Sequence, residues 1–349
     1  MKISELEFYL VQIGCFQADR PVRSMLVRLA TDGGLEGWGE SSLGWQGVEL
    51  SARRDALLPV LVGRSIFDIE ELRSLEVLRS APLRCAVEMA FWDLVGRATR
   101  QPVCHLFGGG YRRRIPMAVR LDGRHPDRIA RVARELAEQG FHCQIVRSSG
   151  RAESDLRALL AVRERVGDRA ELRLDGAAQY DMQTARDLCG DLESVGLQSF
   201  IDPLENATLD QIASLGRQTN VPLAVWRGIG GPADVLSMAR CGAAPTVVIE
   251  LSQVGGLIAA RKCATVAEAA GMSVVLGGHP SLGIATAAML QLAASTPTFS
   301  KSNESCYHQL QDDVLTEPME IIDGMITVPQ LPGLGVEVDR AKVERYQVA

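Results

Sequence analysis

The chain has 349 residues, 46% hydrophobic, 23% charged and 5% aromatic, with a formal net charge of −6. This is the composition of a soluble globular protein, and its mild acidity argues against nucleic acid as a partner. No stretch approaches the roughly 18 apolar residues of a membrane span, and the acidic, alternating start MKISELEFYLVQI lacks the regions of a signal peptide, so the reading is cytoplasmic with no membrane partner.

Of the 37 basic side chains, 33 are arginine and only four are lysine, namely Lys2, Lys262, Lys301 and Lys342. The eight cysteines are scattered singly without a CxxC pair, which points to buried thiols rather than a disulfide or zinc framework.

In chain order, KISELEFYLVQI and RPVRSMLVRLAT read as strands, and Asp32-Gly33-Gly34 is a tight turn into LEGWGES. From Gly47 to Gly109 the apolar spacing becomes helical. Together these predict an N-terminal α+β domain over 1–114, with Trp38 and Trp92 in its core. Beyond Tyr111-Arg112-Arg113-Arg114, short apolar runs alternate with helices. The strand candidates are 115–121, 143–147, 170–175, 197–202, 222–227, 246–251, 273–278 and 298–302. Eight such units with no GxGxxG after the first favour a closed TIM-type (β/α)8 barrel over 115–310, rather than an open doubly wound sheet. The last segment, 311–349, is extended, with a hairpin at IIDGMITVPQ and a further strand at PGLGVEVD, and is expected to pack back on the N-terminal domain.

In such a barrel the active site lies at the C-terminal strand ends. In order these carry Arg120, Arg147, Asp175, Asp202, Arg227, Glu250, His279 and the Ser302–Glu304 segment. Charges ending a single apolar strand merely open a solvated loop, whereas a whole ring of them predicts a polar pocket. His105 and His142 stay outside the site, and His308 reads as rim or surface.

The motifs LATDGGLEGWGE, AVEMAFWDLVGRATRQPVCHLFGGGYRRRIP, VGGLIAARKCATVAEAAG and DDVLTEPMEIIDGMITVPQLPGLGVEVD, in this order, cover essentially the whole chain. Their combination resembles the mandelate racemase/muconate lactonizing branch of the enolase superfamily. The resemblance implies a modified, enolase-like barrel with an N-terminal capping domain completed by the C-terminal segment, a small carboxylic-acid substrate and a homo-oligomer. It also implies a divalent metal, usually Mg²⁺, held by carboxylates from the third, fourth and fifth barrel strands. That metal stabilises the enediolate formed when a base removes the proton α to a carboxylate. In the muconate lactonizing branch the bases are lysines, from a K-x-K on the second strand and one on the sixth.

Set on these positions, the chain departs from the pattern. The second strand carries Ile145 and Arg147 where K-x-K would stand, and the third keeps Asp175 but reads D-G-A for D-A-N. The fourth has Ile201 for the glutamate with Asp202 beside it, the fifth has Trp226-Arg227 for D-E, and the sixth has Glu250 for lysine. Asp175 and Asp202 are then the remaining metal candidates, and the Mg²⁺ site is expected to be degenerate, weak or absent, since a guanidinium repels a cation and cannot ligate one.

Three readings are open. In the first, Arg227 replaces the metal, flanked by Asp175 and Glu250. Arg147 or Arg120 clamps the substrate carboxylate, Ser281 and Glu304 complete the binding site, and His279 is the acid/base with Glu250 the second candidate. The product is metal-free isomerase or lyase chemistry of racemase, cycloisomerase or dehydratase type. In the second, Arg227 simply neutralises Asp175, and the protein is a non-catalytic relative that binds a small carboxylate or serves a structural or regulatory role. In the third, Asp175, Asp202 and Glu250 hold a displaced metal. A catalyst is expected to keep a cavity beside His279 and Glu250, walled by loops near 14–22 and 42–48.

Overall fold

A computed structural model describes residues 1–16, 21–43, 50–121 and 125–348. The chain opens as an antiparallel meander of β1 (Ile3–Ile13), β2 (Val22–Thr31) and β3 (Glu36–Ser41). The turn forms where expected, with Gly34 in the left-handed region at φ +79°. The long helix Ala81–Thr99 lies across β3 so closely that a Cβ on Gly39 would stand 1.8 Å from the Ala86 carbonyl oxygen, and one on Gly37 2.4 Å from that of Ala90. The glycines of LEGWGES therefore set how near helix and sheet approach.

Eight parallel strands come next: β4 (Arg114–Leu121), β5 (Cys143–Arg147), β6 (Glu171–Asp175), β7 (Ser199–Ile201), β8 (Leu223–Val225), β9 (Thr246–Ile249), β10 (Ser273–Leu276) and β11 (Asn303–Glu304). Each of the first seven is followed by a helix across the outside, from Pro126–Glu138 to Gly283–Ser295. Backbone ladders run unbroken from β4 to β10, and β11 pairs back onto β4. The remaining seam, between β10 and β11, is bridged by a side chain, the Asn303 Oδ1 accepting from the Leu276 amide at 2.9 Å. Inside, alternate residues fill the lumen. Ile201, Ala224, Trp226, Val248 and Val275 pack as one group, and Ala118, Cys143 and Ile145 as another. The hairpin of β12 (Ile321–Ile322) and β13 (Met325–Thr327) extends the sheet antiparallel to the start of β4.

Two expected strands differ. The run 298–302 is not a strand, and pairing begins only at Asn303; the Ser302 carbonyl before it accepts from the Arg173 guanidinium. PGLGVEVD makes only isolated bridges, Gly333 with Pro102 and Val338 with Leu315, since Gly333 and Gly335 adopt positive φ and break the extended run. Trp38 is buried and Trp92 partly so, and the eight cysteines are free thiols, six of them buried. No helix among the described residues is long and apolar enough to cross a membrane.

Buried carboxylates join the N-terminal elements to the barrel and to the C-terminal segment. Glu40, at the end of β3, accepts from the amides of Leu282 and Ala285, both at 2.7 Å, at the start of the helix Gly283–Ser295. Glu88 accepts from Ile258 at 2.9 Å, opening the helix Leu257–Ala269, and Asp93 from Leu334 at 2.9 Å in the C-terminal segment. The two glutamates thus make N-cap contacts supplied from another part of the chain. Burial pushes both Glu40 and Glu88 up to about 7 from an ordinary 4.5. A carboxyl raised on folding binds its proton more tightly in the native state, so its contribution is full below 4.5 and is lost as pH rises through 7. Thermal unfolding should therefore show a midpoint that falls between pH 5 and 8, and Glu88→Gln should flatten that fall.

Candidate active site at the barrel mouth

Strand alternation decides which side chains reach the lumen. In register, Arg120 on β4 lies beside Ile145 on β5, Arg147 beside Asp175, and Asp175 beside Ile201. Two linked groups result. In the first, Arg120 donates through Nη1 to Asp175 Oδ2 at 2.7 Å and through Nε to Glu304. Arg227 Nη1 lies 3.0 Å from Asp202 Oδ2 and 3.6 Å from Asp175 Oδ1. In the second, His279 Nδ1 lies 3.0 Å from both oxygens of Glu250, and Trp226 Nε1 donates to Glu250 Oε2 at 3.1 Å. The Trp226 ring joins the groups, with the Arg227 guanidinium 4.8 Å from its centroid, that of Arg120 5.9 Å and the imidazole of His279 5.1 Å.

Of the expected flanking of Arg227 by Asp175 and Glu250, the Asp175 contact is present at 3.6 Å, whereas Glu250 pairs with His279 and Trp226 instead. Arg120 is the inner cation, its side chain 17% exposed between Glu304 and Asp175, while Arg227 is 39% exposed and rests mainly on Asp202. Alternation explains this. Ala224 and Trp226 take the inward places, so Arg227 falls out of phase and reaches the carboxylates from the rim. Asp202 meets it because its backbone turns left-handed, φ +43°, one residue past β7. That turn presents its carboxylate to the amides of Trp226 and Arg227 at 2.9 and 3.0 Å.

Arg147 ends β5 exposed and makes no ion pair among the described residues. Ser281 is half-buried, its carbonyl facing the Cys306 thiol, and its hydroxyl joins neither group among the described residues. His308 is partly buried. It packs on Phe141 with ring centroids 4.9 Å apart, and burial drives it down to about 4. The expected walls at 17–20 and 44–48 lie outside the described residues. Trp226 is the member that sequence reasoning passed over as a functional group, because its inward phase, shared with Ala224, is set by the register of β8 with β7 and β9.

The electrostatics follow from this packing. Burial alone would raise Asp175, but Arg120 and the Ala177 amide outweigh it and hold the carboxyl below its usual value. For Asp202 burial prevails over the two amides and Arg227, and the carboxyl is raised. Burial also works against the Arg120 charge, yet Glu304 and Asp175 more than restore it.

The residues present do not fit the Mg²⁺ that the resemblance implies. Ile201 and Trp226 stand at two of the three ligand positions. Asp175 spends its oxygens on Arg120, Arg227 and an amide, and Asp202 spends its own on Arg227 and two amides. Among the described residues no three acidic, histidine or cysteine side chains converge as a metal site. Hard cations need several uncommitted oxygens, and neither aspartate offers one. Removing the inner cation, Arg120→Met, should leave Asp175 and Glu304 buried and uncompensated at a cost of about 3–5 kcal/mol. Arg227→Met should cost no more than about 1 kcal/mol; denaturant unfolding of the two variants measures both.

Comparison with known proteins places this site in context. Residues 14–108 match the mandelate racemase/muconate lactonizing enzyme N-terminal domain, and residues 128–342 match the enolase C-terminal domain-like family. A chloromuconate cycloisomerase of Cupriavidus pinatubonensis is 29% identical over 93% of this chain and 91% of its own length. An N-succinyl-L-Arg/Lys racemase of Bacillus cereus is 24% identical over 100% and 98%. Among solved structures, the 2-chloromuconate cycloisomerase of Rhodococcus opacus superposes with a TM-score of 0.90 at 25% identity, covering 99% of each chain. The chain belongs to the mandelate racemase/muconate lactonizing enzyme family of the enolase superfamily and is an enzyme of its isomerase or lyase type.

Proposed function

We propose that this enzyme removes the proton α to the carboxylate of a small acid without a divalent metal, using His279 as the acid/base. The observation that carries this reading is the chain Trp226 Nε1–Glu250–His279 Nδ1. A carboxylate facing Nδ1 fixes the proton of the neutral imidazole there and leaves the lone pair on Nε2. The indole N–H keeps the carboxylate from rotating away, and the imidazole, 47% exposed, stands open to a substrate. Proton transfer to a positioned imidazole contributes about 10²–10⁴ in rate.

Arg147 is the mouth guanidinium with both edges free among the described residues, so it is the group to bind the substrate carboxylate by a bidentate fork, assisted by the outer edge of Arg227. As charge develops, that fork holds the enediolate oxygens. One guanidinium concentrates charge less than a divalent ion, which favours a substrate with an activated C–H or a β leaving group. The second-strand position also limits the outcome. Arg147 has no proton to exchange near neutral pH, so among the described residues the opposite face of the substrate meets no acid/base. One-face chemistry of cycloisomerase or dehydratase type is therefore favoured over racemisation, with the protonated His279 returning its proton to product or leaving group.

Libraries of acid sugars and N-acylamino acids incubated in deuterated water provide the test. α-Deuterium incorporation should be unchanged by chelator and should fall by about 10²–10⁴ in His279→Gln. Exchange abolished by chelator, or retained in that variant, contradicts the proposal.

A further inference from the structure

At the face opposite the mouth, the N-terminal ends of the barrel strands border an open cavity of about 500 Å³. Its lining includes His142, Arg169, Glu171, Gln198, Lys301 and Ser302. Of these, Arg169 and Lys301 make no ion pair among the described residues, and Glu171 is the one carboxylate among the lining residues, so the cavity carries an excess of positive charge. Lys301 stands out in a chain with four lysines, because it alone lies beside a barrel strand.

Behind this wall sits Arg173, the largest fully buried side chain among the described residues, 2% exposed on the lumen side of β6. Its guanidinium has no carboxylate partner among the described residues. It donates instead to neutral oxygens, Nε to Gln198 Oε1 at 2.6 Å and Nη2 to the Ser302 carbonyl at 2.9 Å. A buried cation held only by neutral acceptors is costly, since Coulomb attraction does not offset its lost hydration. The contact also fixes the Gln198 amide. With Oε1 turned to Arg173, the NH₂ end is left to donate, and it belongs to a side chain that lines the cavity.

We propose that this basal cavity binds a small dianionic oxyanion of the phosphate class. Lys301 and Arg169 supply the charge, Gln198 donates its amide, and Arg173 polarises that amide from behind while gaining the counter-charge it lacks. The site is separate from the mouth and does not depend on the reaction proposed there.

Inorganic phosphate is the probe, titrated calorimetrically into the full chain at constant ionic strength. The expected result is one phosphate per chain, bound at least tenfold more weakly by the surface double variant Lys301→Ala/Arg169→Ala and within twofold of wild type by Arg147→Ala at the opposite end. A second variant, Gln198→Glu, places a carboxylate against Arg173. It should raise the unfolding temperature while abolishing phosphate binding, a combination that a misfolded protein would not give. Absence of binding to wild type, equal binding by the double variant, or loss in Arg147→Ala would overturn the proposal.

Discussion

Asp175 is 1% exposed, and a carboxylate so deeply buried stays ionised only beside a positive charge. The arrangement of the barrel mouth is set by how that requirement is met. Arg120 reaches it from β4, across the intervening β5, and is itself held by Glu304, so three strand ends are drawn into one ion cluster. Arg227 closes the cluster from outside and brings Asp202 with it. Once two guanidinium groups neutralise the carboxylates, the fifth-strand lumen position is free for an aromatic residue. Trp226 fills it, lying against both cations and passing its N–H to Glu250.

The division of labour between cations is the chemical consequence. Arg120 is committed to two carboxylates, Arg227 largely to Asp202, and Arg147 to none among the described residues. A guanidinium already forked onto carboxylates has little capacity left for a ligand, so the exposed and unpaired one is the better anion receptor. The N-terminal elements are joined to the barrel by the same economy of charge. Glu40 and Glu88 accept from backbone amides at helix starts rather than from cations, and burial then favours their neutral form.

Much of this was legible in the residues. Alternating strands and helices predict the barrel, and the charges ending each strand pick out Arg120, Asp175, Asp202, Glu250, His279 and Glu304, which the fold gathers into two linked groups. What the sequence conceals is phase. Nothing in PLAVWR says whether tryptophan or arginine points inward; the register with β7 and β9 decides it, and so makes Arg120 the inner cation. The left-handed turn at Asp202 is equally hidden, because an aspartate before proline more often reads as extended. PGLGVEVD misleads because its apolar alternation is strand-like while its glycines adopt positive φ. Arg173 escapes notice because a lumen-facing arginine inside AELRLD looks like any solvated position until the barrel closes around it.

The proposed chemistry requires that guanidinium groups take the place of a divalent cation at this mouth. Calorimetric titration of the metal-stripped protein with Mn²⁺, a more tightly ligated stand-in for Mg²⁺, tests it most directly. The account predicts no saturable site that depends on Asp175. Stoichiometric Mn²⁺ binding that disappears in Asp175→Asn would contradict it.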